Sequence, residues 1–217
     1  MPPMTDELRD HWQKVYATRA PTEVSWYQPV PERSLALIRE TGVPPDAPLL
    51  DVGGGASMLV DHLLAAGYTD LTVLDISGTA LAAARARLGA AAARVRWIET
   101  DITGFTPERR YTLWHDRAVF HFLVEPERRQ RYLDVLGRAL TPGGHLILAS
   151  FGPQGPTRCS GLPVQRYAAA ELDGLLAPRY RLIRSEIEDH VTPAGQPQQF
   201  LYGWWQMIPP TPPGLTP

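Results

Sequence analysis

The chain has a single cysteine, Cys159, a single lysine, Lys14, and nowhere a long apolar run. One cysteine excludes an intramolecular disulfide, the usual staple of small secreted domains. Without roughly 20 consecutive apolar residues there is no membrane-spanning helix to expect. Residues 1–10 lack the apolar core of a secretory signal, so the expected setting is the cytoplasm, with no membrane partner. Scarce lysine beside abundant arginine, alanine, glycine and proline reads as the codon usage of a GC-rich genome. Strong charge of either sign is missing too: the formal net charge is -2. No long-range field draws the chain to phosphate backbones, so nucleic acid is not an expected partner. The cluster Arg128, Arg129 and Arg131 falls in an amphipathic pattern and reads as the wet face of a helix.

What is present suits one domain around one core, at 217 residues and 44% hydrophobic content. Residues 1–44 mix aromatics with charge (His11, Trp12, Tyr16, Trp26, Tyr27) and end in a helical pattern over 31–40. They read as an N-terminal helical cap or lid. The proline-rich stretch 44–48 breaks this cap from a domain expected over 45–208. There, short apolar runs at 49–52, 71–74, 94–98, 111–115 and 145–151 alternate with helical patterns at 57–66, 79–88 and 127–140. That alternation predicts a parallel sheet covered on both faces. A helix at 168–176 gives way to strand-like segments at 180–190 and 199–207, separated by turn residues alone, so these two should pair antiparallel. The expectation is an α/β, Rossmann-like, mostly parallel seven-stranded sheet with helices on both faces and a C-terminal antiparallel hairpin. Residues 209–217 are proline-rich and read as a disordered tail.

The stretch Asp51-Val52-Gly53-Gly54-Gly55-Ala56-Ser57 places three glycines between a strand and a helix. A ligand can approach the backbone N–H groups of such a loop without meeting a Cβ; the alternative is a merely flexible turn. Asp75, at the end of the second strand and about 20 residues on, is placed to accept from both hydroxyls of a ribose. Ile76 follows it. A dinucleotide fingerprint needs a third glycine where Met58 stands, which counts against a nicotinamide cofactor. Asp101 follows the third strand and reads either as an acceptor for an adenine amino group, with Ile102 packed on the ring, or as a cap. Asp51, Asp75 and Asp101 all fall at the carboxyl edge of the strands, where ligands of such sheets sit.

With these marks and Leu140-Thr141-Pro142-Gly143-Gly144, residues 45–208 resemble the class I S-adenosylmethionine-dependent methyltransferases. The resemblance implies that Gly53, Gly54, Gly55 and Ser57 hold the methionine part and ribose, Asp75 the ribose diol, and Asp101 with Ile102 the adenine. It places Trp114-His115-Asp116-Arg117 under the sulfonium. Gly54 stands where cysteine or alanine is common, which reads as a harmless difference. Trp12, Tyr16 and Ser25-Trp26-Tyr27 loosely resemble the opening segment of the protein-lysine methyltransferase-like subset.

The implied reaction is in-line displacement of a methyl group from S-adenosylmethionine, leaving S-adenosylhomocysteine; no metal is expected. Alignment of the acceptor supplies much of such a rate, and a base is needed only for a protonated acceptor. His121 and His115 are candidate bases or packed histidines; Asp116 is a candidate for the methionine amine or the acceptor. The Asn/Asp-Pro-Pro-Tyr/Phe motif that grips planar amino groups is absent, which argues against adenine-base and glutamine-amide methylation. Trp26, Tyr27 and Arg158, the last in a long loop after the fifth strand, are candidate lid and acceptor contacts. A small-molecule acceptor is the leading reading; protein-lysine methylation and non-catalytic S-adenosylmethionine binding are the alternatives.

Overall fold

The computed structural model describes residues 4–209. The tail expected at 209–217 lies outside the described residues except for Pro209. Two helices, α1 (Met4–Thr18) and α2 (Glu32–Glu40), precede the sheet. Then come β1 (Leu49–Val52), α3 (Leu59–Ala65), β2 (Leu71–Asp75), α4 (Gly78–Leu88), β3 (Val95–Glu99), β4 (Tyr111–Arg117), α5 (Pro126–Ala139) and β5 (Leu140–Phe151). A two-stranded ribbon, β6 (Arg158–Cys159) and β7 (Leu162–Pro163), leads to α6 (Ala169–Leu176), β8 (Tyr180–Val191) and β9 (Pro197–Met207). The seven-stranded sheet runs β3-β2-β1-β4-β5-β9-β8. Its first five strands are parallel, and the β8–β9 hairpin adds antiparallel to β5. The expected architecture is therefore present. Among the described residues no helix is long and apolar enough to cross a membrane.

Successive strand residues point to opposite faces, which divides the core in two. Leu50, Val52, Trp114, Leu146 and Leu148 pack with α5 and α6. Leu49, Leu113, Ile147 and Ala149 pack with α2 and α3. Helix α5 opens with Pro126 at its first turn, where a missing N–H is harmless, and buries Tyr132, Val135, Leu136 and Ala139. Ser77 caps α4, its hydroxyl accepting from the Ala80 amide.

Helix α1 spans the aromatic segment ahead of the 31–40 helical pattern, and Leu8, Trp12 and Tyr16, four apart, lie on one of its faces. It docks through Gln13, whose Oε1 accepts from the Ser77 hydroxyl and the Thr79 amide at 2.9 Å each. The long loop after β5 folds into the β6–β7 ribbon and is tied down, the Gln165 amide donating to the His121 carbonyl at 2.8 Å and Tyr167 to Phe151. Arg128 is not on a wet face: it is 4% exposed, while Arg131 alone of the cluster is exposed.

Candidate functional site

β1 ends in a turn that only glycine suits at Gly53, whose φ is +68° and where a Cβ would collide with Val119. The Gly53 amide donates to the Leu74 carbonyl at 2.7 Å, holding the turn beside the end of β2. Across from it, β4 is followed by Ala118, a non-glycine residue at φ 73°, which sets Val119 over the glycine. A Cβ at Gly55 would stand 2.5 Å from Asp75 Oδ2. At Gly54 it would press on Asp51 Oδ2 and Val73.

Two adjoining cavities open along this edge and share Tyr16, Trp26, Val52, Gly53 and Arg117. The larger has a volume of about 820 Å³, part of it open to solvent. Asp75, Ile76, Asp101, Ile102, Val119 and Arg128 line it. The smaller is walled by Asp51, Gly54, Ser57, His115 and Ser34 together with Tyr27 and Gln28 of the cap. Above them Trp12 meets Phe122 at 5.1 Å and Trp26 at 5.7 Å, ring centre to ring centre, and Tyr16 meets Trp26 at 6.2 Å.

Each acid is held differently. Asp75 is buried and accepts from the Ser77 amide at 2.8 Å; burial, with the charges of Asp51 and Glu99, pushes its pKa up to about 7. Asp101 accepts from the Thr103 amide and hydroxyl through one oxygen and from Arg128 Nη2, at 2.8 Å, through the other. Burial raises its pKa, but the Thr103 amide and the Arg128 guanidinium outweigh it and hold the carboxyl below its usual range. Asp51 Oδ1 accepts from His115 Nδ1 at 2.7 Å, while Oδ2 is buried without a partner among the described residues.

The residues expected to form the site divide accordingly. Asp51, Gly53, Gly54, Ser57, Asp75, Ile76, Asp101, Ile102, His115, Trp26 and Tyr27 line the two cavities, and Gly55 backs Asp75. Asp116, His121 and Arg158 line neither. Asp116 is fully buried and accepts from the Val119 amide and the Tyr132 hydroxyl, closing the turn beneath the site; burial pushes its pKa up to about 6. His121 is also fully buried, its Nδ1 accepting from the Phe151 amide at 3.3 Å; burial, then the charge of Arg117, pushes its pKa down to about 3. Arg158 is exposed and donates to the Gly161 carbonyl of its own hairpin, whereas its neighbour Cys159 faces the larger cavity. Leu8, Trp12, Tyr16 and Arg128 line the larger cavity without having been singled out as site residues, and Arg117, named from the resemblance with its strand neighbours, lines both. For Arg128 the signal was present: it stands four, seven and eight residues before Tyr132, Val135 and Leu136, on the helix's apolar stripe.

Residues 50–146 match the family described as a methyltransferase domain. The chain is 25% identical over 148 residues to the eEF1A lysine and N-terminal methyltransferase of Mus musculus, covering 65% of this chain and 21% of that one. It is 30% identical over 106 residues to Nodulation protein S of Rhizobium tropici, covering 49% and 44%. It thus spans less than half the length of either relative. Among solved structures, the 1,6-didemethyltoxoflavin-N1-methyltransferase of Burkholderia thailandensis, with bound 1,6-didemethyltoxoflavin and S-adenosylhomocysteine, superposes with a TM-score of 0.68. That likeness covers 94% of this chain and 87% of that one at 20% identity. Residues 50–146 thus match a methyltransferase-domain family, on a Rossmann-like fold that the chain shares with solved S-adenosylmethionine-dependent methyltransferases.

Proposed function

We propose that the protein transfers a methyl group from S-adenosylmethionine to a small-molecule acceptor. The observation that carries this reading is the pair of joined cavities at the strand ends, roofed by residues 4–44 and walled by the glycine loop and three buried carboxylates, Asp51, Asp75 and Asp101. The residues fit the nucleoside. Asp75 is a buried carboxylate beside a glycine turn with no room for a Cβ, suited to hydroxyl donors, and Ile76, Ile102, Val119 and Leu123 offer apolar walls to a ring. Asp51, Gly53, Gly54 and Ser57 would face the methionine part.

When bound, S-adenosylmethionine supplies a methyl group on a cationic sulfur that the acceptor displaces in line. The chain's own part is to orient the acceptor and exclude water, which falls to Trp12, Tyr16, Trp26 and Phe122. Neither candidate histidine is a free base: both nitrogens of His115 are engaged, and His121 lies outside the two cavities as a very weak base. An acceptor that arrives with its lone pair free needs neither of them. The roof supports an enclosed small acceptor, as in the Burkholderia protein, over the open groove that a protein acceptor requires. Protein-lysine methylation remains the second reading because of the likeness to the mouse protein. A cytoplasmic setting belongs to the same proposal.

Calorimetric titration with S-adenosylmethionine, S-adenosylhomocysteine and NADH tests the reading. Saturable binding of the first two, weakened by Asp75→Ala, is expected; preference for NADH would overturn it. Labelled methyl transferred only to protein extract, never to metabolite extract, would replace the small acceptor with a protein. Tight binding without transfer to either would leave a binding protein.

A further inference from the structure

Arg117, the last residue of β4, stands where the two cavities meet and lines both. Its guanidinium is fixed on three sides. Nε donates to the Tyr202 hydroxyl at 2.9 Å, Nη1 donates to the Trp26 carbonyl at 3.0 Å, and Cζ lies 4.3 Å from the centre of the Phe200 ring. The fourth contact is missing: Nη2 is buried and has no partner among the described residues. A phenol, a carbonyl and a phenyl ring hold the cation, and none of them carries a negative charge. The residue is half-buried, its Nη2 is shielded from solvent, and among the described residues no carboxylate pairs with it, so a ligand that brings the counter-charge is favoured there. The guanidinium's planar donors suit a carboxylate better than any neutral acceptor.

We infer that Arg117 is a carboxylate receptor built into the junction of the two cavities, with Nη2 as the donor left for the ligand. This rests on the methyltransferase reading above, because a methyltransferase brings two candidate carboxylates to that point: the one on the methionine part of the co-substrate, and one on the acceptor itself. Tyr202, Trp26 and Phe200 act as positioning residues that hold the guanidinium plane. Arg158, the arginine that sequence alone offers for an anionic acceptor, is turned away onto Gly161.

The test is calorimetry on the full chain, as wild type, Arg117→Gln and Arg117→Lys, with each variant's thermal unfolding recorded. The probes are S-adenosylhomocysteine and 5′-methylthioadenosine, which lacks the amino-acid carboxylate, followed by benzoate and its neutral counterpart benzamide titrated into the S-adenosylhomocysteine complex. Loss of one charge-assisted hydrogen bond corresponds to a roughly 10- to 100-fold drop in affinity. If Arg117→Gln loses that much for S-adenosylhomocysteine but not for methylthioadenosine, with Arg117→Lys intermediate, the receptor serves the co-substrate. If homocysteine-nucleoside binding is unchanged and only the wild-type complex takes benzoate over benzamide, it serves the acceptor. Equal losses for both nucleosides, or no loss and no preference for benzoate, overturn the inference. Failure of wild type to bind either nucleoside would instead sink the methyltransferase reading.

Discussion

His115 Nδ1 lies 2.7 Å from Asp51 Oδ1 across the neighbouring strands β4 and β1, and its Nε2 lies 2.9 Å from the Ser34 hydroxyl of α2. The carboxylate accepts from Nδ1, which leaves Nε2 to accept from the serine. The ring is thereby a strut between the cap and the glycine loop, with no nitrogen free for an acceptor's proton. Removing it strands Asp51, whose second oxygen already lacks a partner among the described residues. His115→Ala should therefore destabilise the fold by about 2–4 kcal/mol in urea unfolding, through the orphaned buried groups and the lost volume. Unchanged stability with a pH-dependent loss of turnover would show a base instead.

Asp75 makes ligand binding depend on pH. Its pKa of about 7 in the fold lies well above its ordinary value of 3.8, so between these values the folded state binds the proton and the unfolded state does not. In the ligand-free protein, stability is greatest near and below pH 4 as far as this group is concerned, and falls as pH rises through about 7. Ribose hydroxyls donate to the carboxylate form, so affinity for S-adenosylhomocysteine should move the other way, rising as pH passes upward through the same region. Asp75→Asn should flatten both trends, and calorimetry with unfolding midpoints from pH 5 to 8.5 would read them. Affinity independent of pH in wild type would remove Asp75 from the binding site.

Much of this was legible in the sequence, because strand and helix positions follow from apolar spacing and from turn residues that act locally. The positions of the glycine loop, Asp75 and Asp101 were readable for the same reason: each lies at or just past the end of a strand, and parallel strands bring their ends together. The roles of the side chains at the end of β4 were not. Sequence spacing places His115, Asp116 and Arg117 side by side, but the alternation of the strand sends Asp116 to the face opposite His115 and Arg117, and those two find different partners. His115 goes to Asp51 and Ser34, Asp116 to Tyr132, and Arg117 to the junction of the cavities. Those partners lie 64 and 81, 16, and 85 residues away in the chain for His115, Asp116 and the Arg117–Tyr202 contact, beyond the reach of any local pattern.

The glycine loop offers a test of packing against family habit. A Cβ at Gly54 would meet Asp51 Oδ2 and Val73 Cγ1, and Asp51 cannot swing aside without leaving His115. Gly54→Ala should cost about 1–3 kcal/mol of stability by overpacking and weaken S-adenosylhomocysteine binding. Full stability and affinity in the variant would mean that the loop relaxes, and that the family's alanine or cysteine is accommodated here too.

Arg128 and Asp101 offer the sharpest energetic test, because both are nearly buried and their 2.8 Å contact forms part of the larger cavity's wall. Arg128 Nε has no partner among the described residues, so the pair is not fully satisfied. Arg128→Met should strand the Asp101 charge and destabilise the protein by about 3–5 kcal/mol. It should also raise the Asp101 pKa, since the guanidinium helps to hold that carboxyl down. Replacing both residues, as Arg128→Met with Asp101→Asn, leaves the Thr103 bonds available to the amide oxygen and should restore more than half of the loss. Stability would then recover while nucleoside affinity stays low, because the carboxylate proposed to accept from the adenine amino group is gone. If affinity returned together with stability, Asp101 would be a structural cap for its own turn and the adenine would be held by the apolar walls alone.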